Sequence, residues 1–233
     1  WIEYGQGRIR LISAPAGVAD GTIRLGLQYD IEPGWEIYWR SPGEAGYPTT
    51  IDWTGTENIV DAEIFWPVPG RFQIFGLDTF GYKGEVVLPI EGRILRPNEA
   101  AQIRAAVIFL TCQETCVPHD VVLSLDLPGG AGGVSEHARL INRYWAQVPK
   151  SDPAVGLRVA RTELVATGEN PLLQVIAFSE SPFRTPDVFV EGPQNYIFAP
   201  PDVRLSESGG RAVFHIPISL AVVQGEGPPP DLL

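Results

Sequence analysis

The chain holds two cysteines, in the run Leu110-Thr111-Cys112-Gln113-Glu114-Thr115-Cys116-Val117-Pro118-His119-Asp120. Such a segment could carry a structural disulfide, a redox-active disulfide or a thiolate-imidazole metal site. A disulfide needs Cβ atoms about 3.5–4.5 Å apart. On a strand, residues four apart lie roughly 13 Å from one another, and on a helix about 5–6 Å. A bond between Cys112 and Cys116 therefore requires the backbone to double back between them. Closing so small a loop stabilises by only about 2 kcal/mol, little for a staple. A short loop also suits a bond that is broken and remade. Spacing alone leaves redox and structural roles equally open, and C-x3-C is not the C-x-x-C of thioredoxin-like proteins.

The metal alternative rests on Cys112, Cys116 and His119, a C-x3-C-x2-H set of soft ligands suited to Cu(I) or to part of a zinc site. There is no further Cys and no Met, and His137 and His215 are remote in sequence. A closed four-ligand site is not expected, and no metal is assigned. His119 beside a thiol also suggests Cys-His catalysis, but such thiols usually sit at a helix start, where the dipole lowers their pKa. The glycines of 129–133 lack the following Lys-Ser/Thr of a phosphate loop.

The elements around the pair must supply the reversal. Ile103, Ala105, Val107 and Phe109 alternate on one side, and Val121, Leu123, Leu125 and Leu127 on the other. Two alternating runs flanking a short irregular segment predict a hairpin with the cysteines near its tip. Upstream, Ile23, Leu25, Leu27 and Tyr29 share one face of a strand. Trp35–Trp39, Ile51–Trp53, Ile59–Trp66 and Glu85–Ile90 supply further runs, bounded by Pro-Gly turns. This pattern predicts an antiparallel sandwich over residues 1–128.

Pro128-Gly129-Gly130-Ala131-Gly132-Gly133 reads as a flexible linker. After it, Ser135 can cap a helix reaching about Gln147, with Ile141, Tyr144, Trp145 and Val148 at helical spacing. Linker and helix occupy 129–150. From 151 to 233 strands resume at Gly156–Leu164, Leu172–Phe178, Asp187–Val190, Tyr196–Ala199 and Ala212–Ala221, predicting a second, smaller β-sandwich truncated at its last strand.

With 44% hydrophobic and 19% charged residues the chain can bury cores, and 25 Gly and 22 Pro favour short strands and turns. A net charge of −11 argues against nucleic acid or an anionic membrane surface as partner. No apolar run is long enough to span a bilayer, and no signal peptide opens the chain. Trp1 as first residue, the absence of Met and the Pro-rich end lead us to expect a soluble piece of a larger protein.

Several stretches together resemble one family: Gly34-Trp35-Glu36-Ile37-Tyr38-Trp39, Pro42-Gly43-Glu44-Ala45-Gly46-Tyr47-Pro48-Thr49, Trp66-Pro67-Val68-Pro69, Gly81-Tyr82-Lys83-Gly84-Glu85-Val86-Val87-Leu88-Pro89 and Cys112–Pro118. They look like the N-terminal periplasmic region of the DsbD-like transmembrane thiol:disulfide interchange proteins, nearest the suppressor-of-copper-sensitivity B (ScsB) branch. The better-known DsbD branch spaces its cysteines more widely than C-x3-C.

The resemblance implies an all-β chain of two immunoglobulin-like antiparallel sandwiches joined by the Gly-rich linker and short helix. It implies a periplasmic module of an inner-membrane protein, acting as a protein-disulfide reductase with no bound cofactor. Electrons would arrive from the membrane and thioredoxin-like domains of the same full-length protein. They would leave through Cys112/Cys116 to periplasmic thioredoxin-like partners, with Cys116 attacking and Cys112 resolving. The family covers its cysteines with an aromatic cap loop, which places Phe75, then Phe72, as cap candidates in Arg71–Asp78, with Tyr38 and Trp39 as walls. Ordinary core packing of both phenylalanines is the alternative. Glu114 would raise a thiol pKa by like-charge repulsion, and a protonated His119 would lower it. The rival function is a non-enzymatic sandwich, binding copper or a protein, whose disulfide is purely structural.

Overall fold

The computed structural model of the chain describes residues 1–130, 132–150, 153–167, 170–193 and 196–220, in two units, Trp1–Lys150 and Ser151–Leu233. In the first unit the chain forms β1 (Ile2–Glu3), β2 (Gly7–Ser13), β3 (Thr22–Ile31), β4 (Glu36–Gly43), β5 (Thr50–Asp52) and β6 (Ile59–Ile64). It continues through β7 (Gly70–Ile74), β8 (Leu77–Tyr82), β9 (Glu85–Ile94), β10 (Ala101–Cys112), β11 (Cys116–Leu127) and α1 (Ala138–Trp145). One antiparallel sheet runs β1-β2-β3-β9-β6; the other runs β11-β10-β4-β8-β7, with β5 on β10.

Alternation decides which side chains meet between the sheets. Ile23, Leu25, Leu27 and Tyr29 of β3 are all buried, as are Ala105, Val107 and Phe109 of β10. The Tyr29 and Phe109 rings meet edge-to-face across the sandwich at 5.1 Å. The predicted cysteine hairpin is present, with β10 and β11 in unbroken register from Ala101↔Leu127 to Cys112↔Cys116.

In the first unit two expectations need correction. The Gly-rich segment is tied to the first unit: Ala16 N–H donates to Gly133 O, Gly130 N–H to Val18 O and Val18 N–H to Pro128 O. Gly129 serves close approach, since a Cβ on it would stand 2.1 Å from the Asn98 carbonyl oxygen. The helix then lays Ile141 against Ile12 and Val87 on the first sheet, while Tyr144 Oη donates to Glu85 O at 2.6 Å. Ser135 accepts the His137 N–H, one residue ahead of the regular helix. The other correction concerns Arg71–Asp78, which lies within a β-hairpin, β7–β8, and not a loop.

The second unit contains β12 (Leu157–Thr167), β13 (Asn170–Ser179), β14 (Tyr196–Phe198), β15 (Asp202–Leu205) and β16 (Arg211–Leu220). They form an antiparallel sheet ordered β12-β13-β16-β14, with β15 on β16. Asp187–Val190 was expected as a strand but does not form one; Val188 and Val190 instead pack as side chains on the core of Val175, Ala177, Ala212, Phe214 and Ile216. The expected end at Ala221, with any truncation of the last strand, lies outside the described residues.

Candidate functional site: the disulfide at the hairpin tip

Cys112 and Cys116 are the last cross-strand pair of the β10–β11 hairpin, and Gln113-Glu114-Thr115 turn the corner. Their Cα atoms are 4.2 Å apart and their sulfurs are bonded at 2.04 Å. That Cα separation matches a non-hydrogen-bonded antiparallel pair, where facing side chains come closest. Gln113 N–H donates to Thr115 O at 3.0 Å and closes the tip. The reversal that the spacing demanded is thus a hairpin turn.

The two sulfurs differ in setting. β10 is flanked by β11 and, at its end, by β4, with Cys112 opposite Glu36 and Thr111 opposite Ile37. Cys112 is 0% exposed, whereas Cys116, on the outermost strand, is exposed. Strand parity puts Leu110, Cys112, Cys116, Glu36 and Tyr38 on one face. There Cys112 packs with Tyr38, Leu110 and Ile74 in a small cluster of its own.

The β7–β8 hairpin supplies part of this cover, but through an unexpected residue. Phe75 (φ 53°) and Gly76 (φ 81°) form its two-residue turn between Ile74 and Leu77, and positive φ at both positions is the type I′ pattern. Phe75, expected as the cap, is 68% exposed there, while Ile74 is 5% exposed and belongs to the Cys112 cluster. Phe72, the second candidate, is half-buried with the Lys83 ammonium 4.2 Å from its ring centre.

Tyr38, expected as a wall, packs in the Cys112 cluster, and burial, then the nearby Glu36 charge, push its phenol up to about 12. Trp39, the other expected wall, does not, since the next residue on a strand points to the other face; it is buried there with the Arg40 guanidinium 5.3 Å from its ring. The Pro42–Thr49 stretch folds over Tyr38. Gly46 has φ +93°, and a Cβ on it would come within 2.4 Å of the Tyr38 ring. Tyr47 Oη donates to the Phe109 carbonyl at 3.4 Å.

His119 is removed from the site by the same parity rule. Three residues after Cys116, it faces the opposite side of the hairpin, stacked on Phe109 with ring centres 4.7 Å apart. Its Nε2 is 2.8 Å from Thr111 Oγ1, and burial holds its pKa below the usual histidine range. C-x3-C-x2-H is therefore split between two faces and does not converge on one ion. Glu114 stands exposed at the tip.

Glu36 was overlooked in the sequence, although a carboxylate inside the apolar run Trp35–Trp39 is a signal in itself. Its side chain is 2% exposed, and its carboxylate lies 3.5 Å from Lys83 Nζ and accepts a hydrogen bond from Thr79 Oγ1 at 3.0 Å. Burial raises its pKa, and the Thr79 hydrogen bond and the Lys83 charge partly offset this.

Fold and site together define an immunoglobulin-like β-domain protein that carries a half-accessible disulfide at a hairpin tip. Residues 11–128 match the family described as "Thiol:disulfide interchange protein DsbD, N-terminal", and the chain belongs to that family. Residues 147–232 match a domain of unknown function, DUF8393. Among solved structures, the N-terminal periplasmic domain of ScsB from Proteus mirabilis aligns with a TM-score of 0.77 at 24% identity, covering 98% of this chain and 87% of that one. The Neisseria meningitidis DsbD n-terminal domain in the reduced form aligns over 56% of this chain and 89% of that one, at 15% identity and a TM-score of 0.32. No curated protein matches the chain.

Proposed function

We propose that the chain is a periplasmic thiol-disulfide exchange module of a membrane disulfide reductase. Its pair is reduced by the thioredoxin-like and membrane domains of a longer protein and in turn reduces periplasmic thioredoxin-like partners. Family membership supports exchange as the chemistry. The observation that carries the assignment of roles is the asymmetry of the pair, an exposed Cys116 against a fully buried Cys112.

In the reduced module the Cys116 thiolate attacks one sulfur of a partner disulfide, and the partner's other sulfur leaves as thiolate. Cys112, held behind Cys116 by the ladder, loses its proton and attacks the Cys116 sulfur. This expels the partner's second thiolate and leaves Cys112–Cys116 oxidised; both partner thiolates take up protons. Two electrons have then moved from module to partner. The structure describes the oxidised end of this cycle. Among the described residues no helix is long and apolar enough to cross a membrane, and the membrane-embedded steps belong to the longer protein.

The test is capture. Cys112→Ala keeps the attacking sulfur and lacks the resolving one, so it accumulates mixed disulfides with thioredoxin-like proteins; Cys116→Ala does not. The reverse pattern overturns the role assignment. No capture by either variant, with a midpoint potential below about −300 mV, supports a structural disulfide instead.

A further inference from the structure

Glu36 is a buried acid with no part in the exchange steps given so far. It stands one ladder rung from Cys112, on the same face and equally buried. Facing side chains on such a rung have Cβ atoms about 4.5–5.5 Å apart, a gap that a glutamate side chain spans. In the oxidised structure its carboxylate leans to the other neighbouring strand, on Thr79 Oγ1 and toward Lys83 Nζ. Rotation about its Cα–Cβ bond swings it back across the rung.

We propose that Glu36 is the proton acceptor for Cys112, taking the thiol proton as Cys112 attacks the mixed disulfide; this rests on the exchange reading above. The balance is closed. Cys112–SH and Glu36–COO⁻ become Cys112–S⁻ and Glu36–COOH; the thiolate then forms the Cys112–Cys116 bond as the Cys116–partner bond breaks. The partner leaves as a thiolate, and Glu36 returns its proton to solvent by way of the half-exposed Lys83 side of the site.

The physical need is specific to a buried thiol. Ionising Cys112 with its proton lost to bulk water would add a second negative charge beside Glu36, in a place water does not reach. Passing the proton across the rung keeps one negative charge in the site throughout. Burial also raises the Glu36 pKa, and any rise lessens the uphill character of the transfer. The groups facing Glu36 are Thr79 and Lys83 from the β8 side, Cys112 from β10 and Tyr38 on its own strand. Lys83 is the only cation among them.

The experiment uses the reduced full chain and a chromogenic aromatic disulfide as probe, which releases two coloured thiolates in turn. The first release reports attack by Cys116 and the second reports resolution by Cys112. In Glu36→Gln the ratio of second to first rate constants falls at least about tenfold at pH 7 and climbs again as the pH is raised, where hydroxide takes the thiol proton. The amide oxygen of that variant can still accept the Thr79 hydrogen bond, so the fold is kept. In Thr79→Val the carboxylate remains but loses a hydrogen bond to its charged form. The acid limb of the second release then moves to higher pH, a change that packing alone would not produce. An unaltered ratio in Glu36→Gln, or an unmoved limb in Thr79→Val, overturns the proposal. Absence of any first release from the unaltered protein would sink the exchange reading itself, and so separates the two.

Discussion

Replacing Ile74 by Ala probes whether the β7–β8 hairpin shields the buried sulfur. Ile74 is 5% exposed and lies in one buried cluster with Tyr38, Leu110 and Cys112. The change deletes three carbons, worth about 2.4 kcal/mol at ~0.8 kcal/mol each, before any cavity term. The site lies at a hairpin end that can partly collapse, so a total of about 2–3 kcal/mol is expected. That lowers the thermal transition of the first unit by roughly 5–10 °C.

The more telling consequence is chemical. Cys112 is 0% exposed in the disulfide form, and under the same cover the reduced thiol reacts with an alkylating reagent only from a locally opened state. Weakening its cover by about 2 kcal/mol raises that population roughly 30-fold. Limited iodoacetamide labelling of the reduced protein, followed by peptide mass mapping, gives the Cys112 rate relative to Cys116. If the transition falls as stated but the Cys112 rate rises by less than about threefold, Ile74 is ordinary packing and the shielding account is wrong.

Gly46→Ala places a methyl 2.4 Å from the Tyr38 ring at φ +93°, so it destabilises the first unit by about 1–3 kcal/mol. Urea midpoints measure the loss, and near-ultraviolet dichroism registers the displaced tyrosine. His119→Gln leaves the pH profile of thiol exchange unaltered, because the imidazole faces away from the cysteines. The same variant flattens the pH dependence of stability. Burial depresses the folded His119 pKa, so below about pH 6.5 the unfolded chain binds more protons and stability is lost as the pH is lowered; urea midpoints at pH 7.5 and pH 5 show it. Truncation after Leu127 uncovers Ile12 and Val87, which Ile141 buries, and lowers the urea midpoint relative to a chain ending at Lys150.

Much of the first unit was legible because its signals are local. The alternation of Ile103–Phe109 and Val121–Leu127 fixed both strands and their inward faces, and the C-x3-C spacing required the turn between them. Tyr38 shares a buried cluster with Cys112, and Gly46 of the Pro42–Thr49 stretch lies against the Tyr38 ring. The failures at the site have two causes. Trp39 is next to Tyr38 and His119 is near the pair in sequence, but neighbours along a strand point to opposite faces; Phe75 falls in the β7–β8 turn, where its ring is exposed. Counting parity from Cys116 would have excluded His119 from the sequence alone. Asp187–Val190 has strand composition but joins no sheet, since a ladder is a property of two segments.

What the sequence determined by itself is the hairpin and the pair at its tip, because hydrophobic alternation and turn length act over a few residues. What only the tertiary structure decided is the difference between the two sulfurs. β4 pairs with β10 and closes over Cys112, while β11 is the outermost strand of its sheet and leaves Cys116 open. The same pairing puts the Glu36 carboxylate opposite Cys112. Contacts of that kind join segments far apart in the chain, and their register is set by the packing of whole sheets, so no local pattern encodes them.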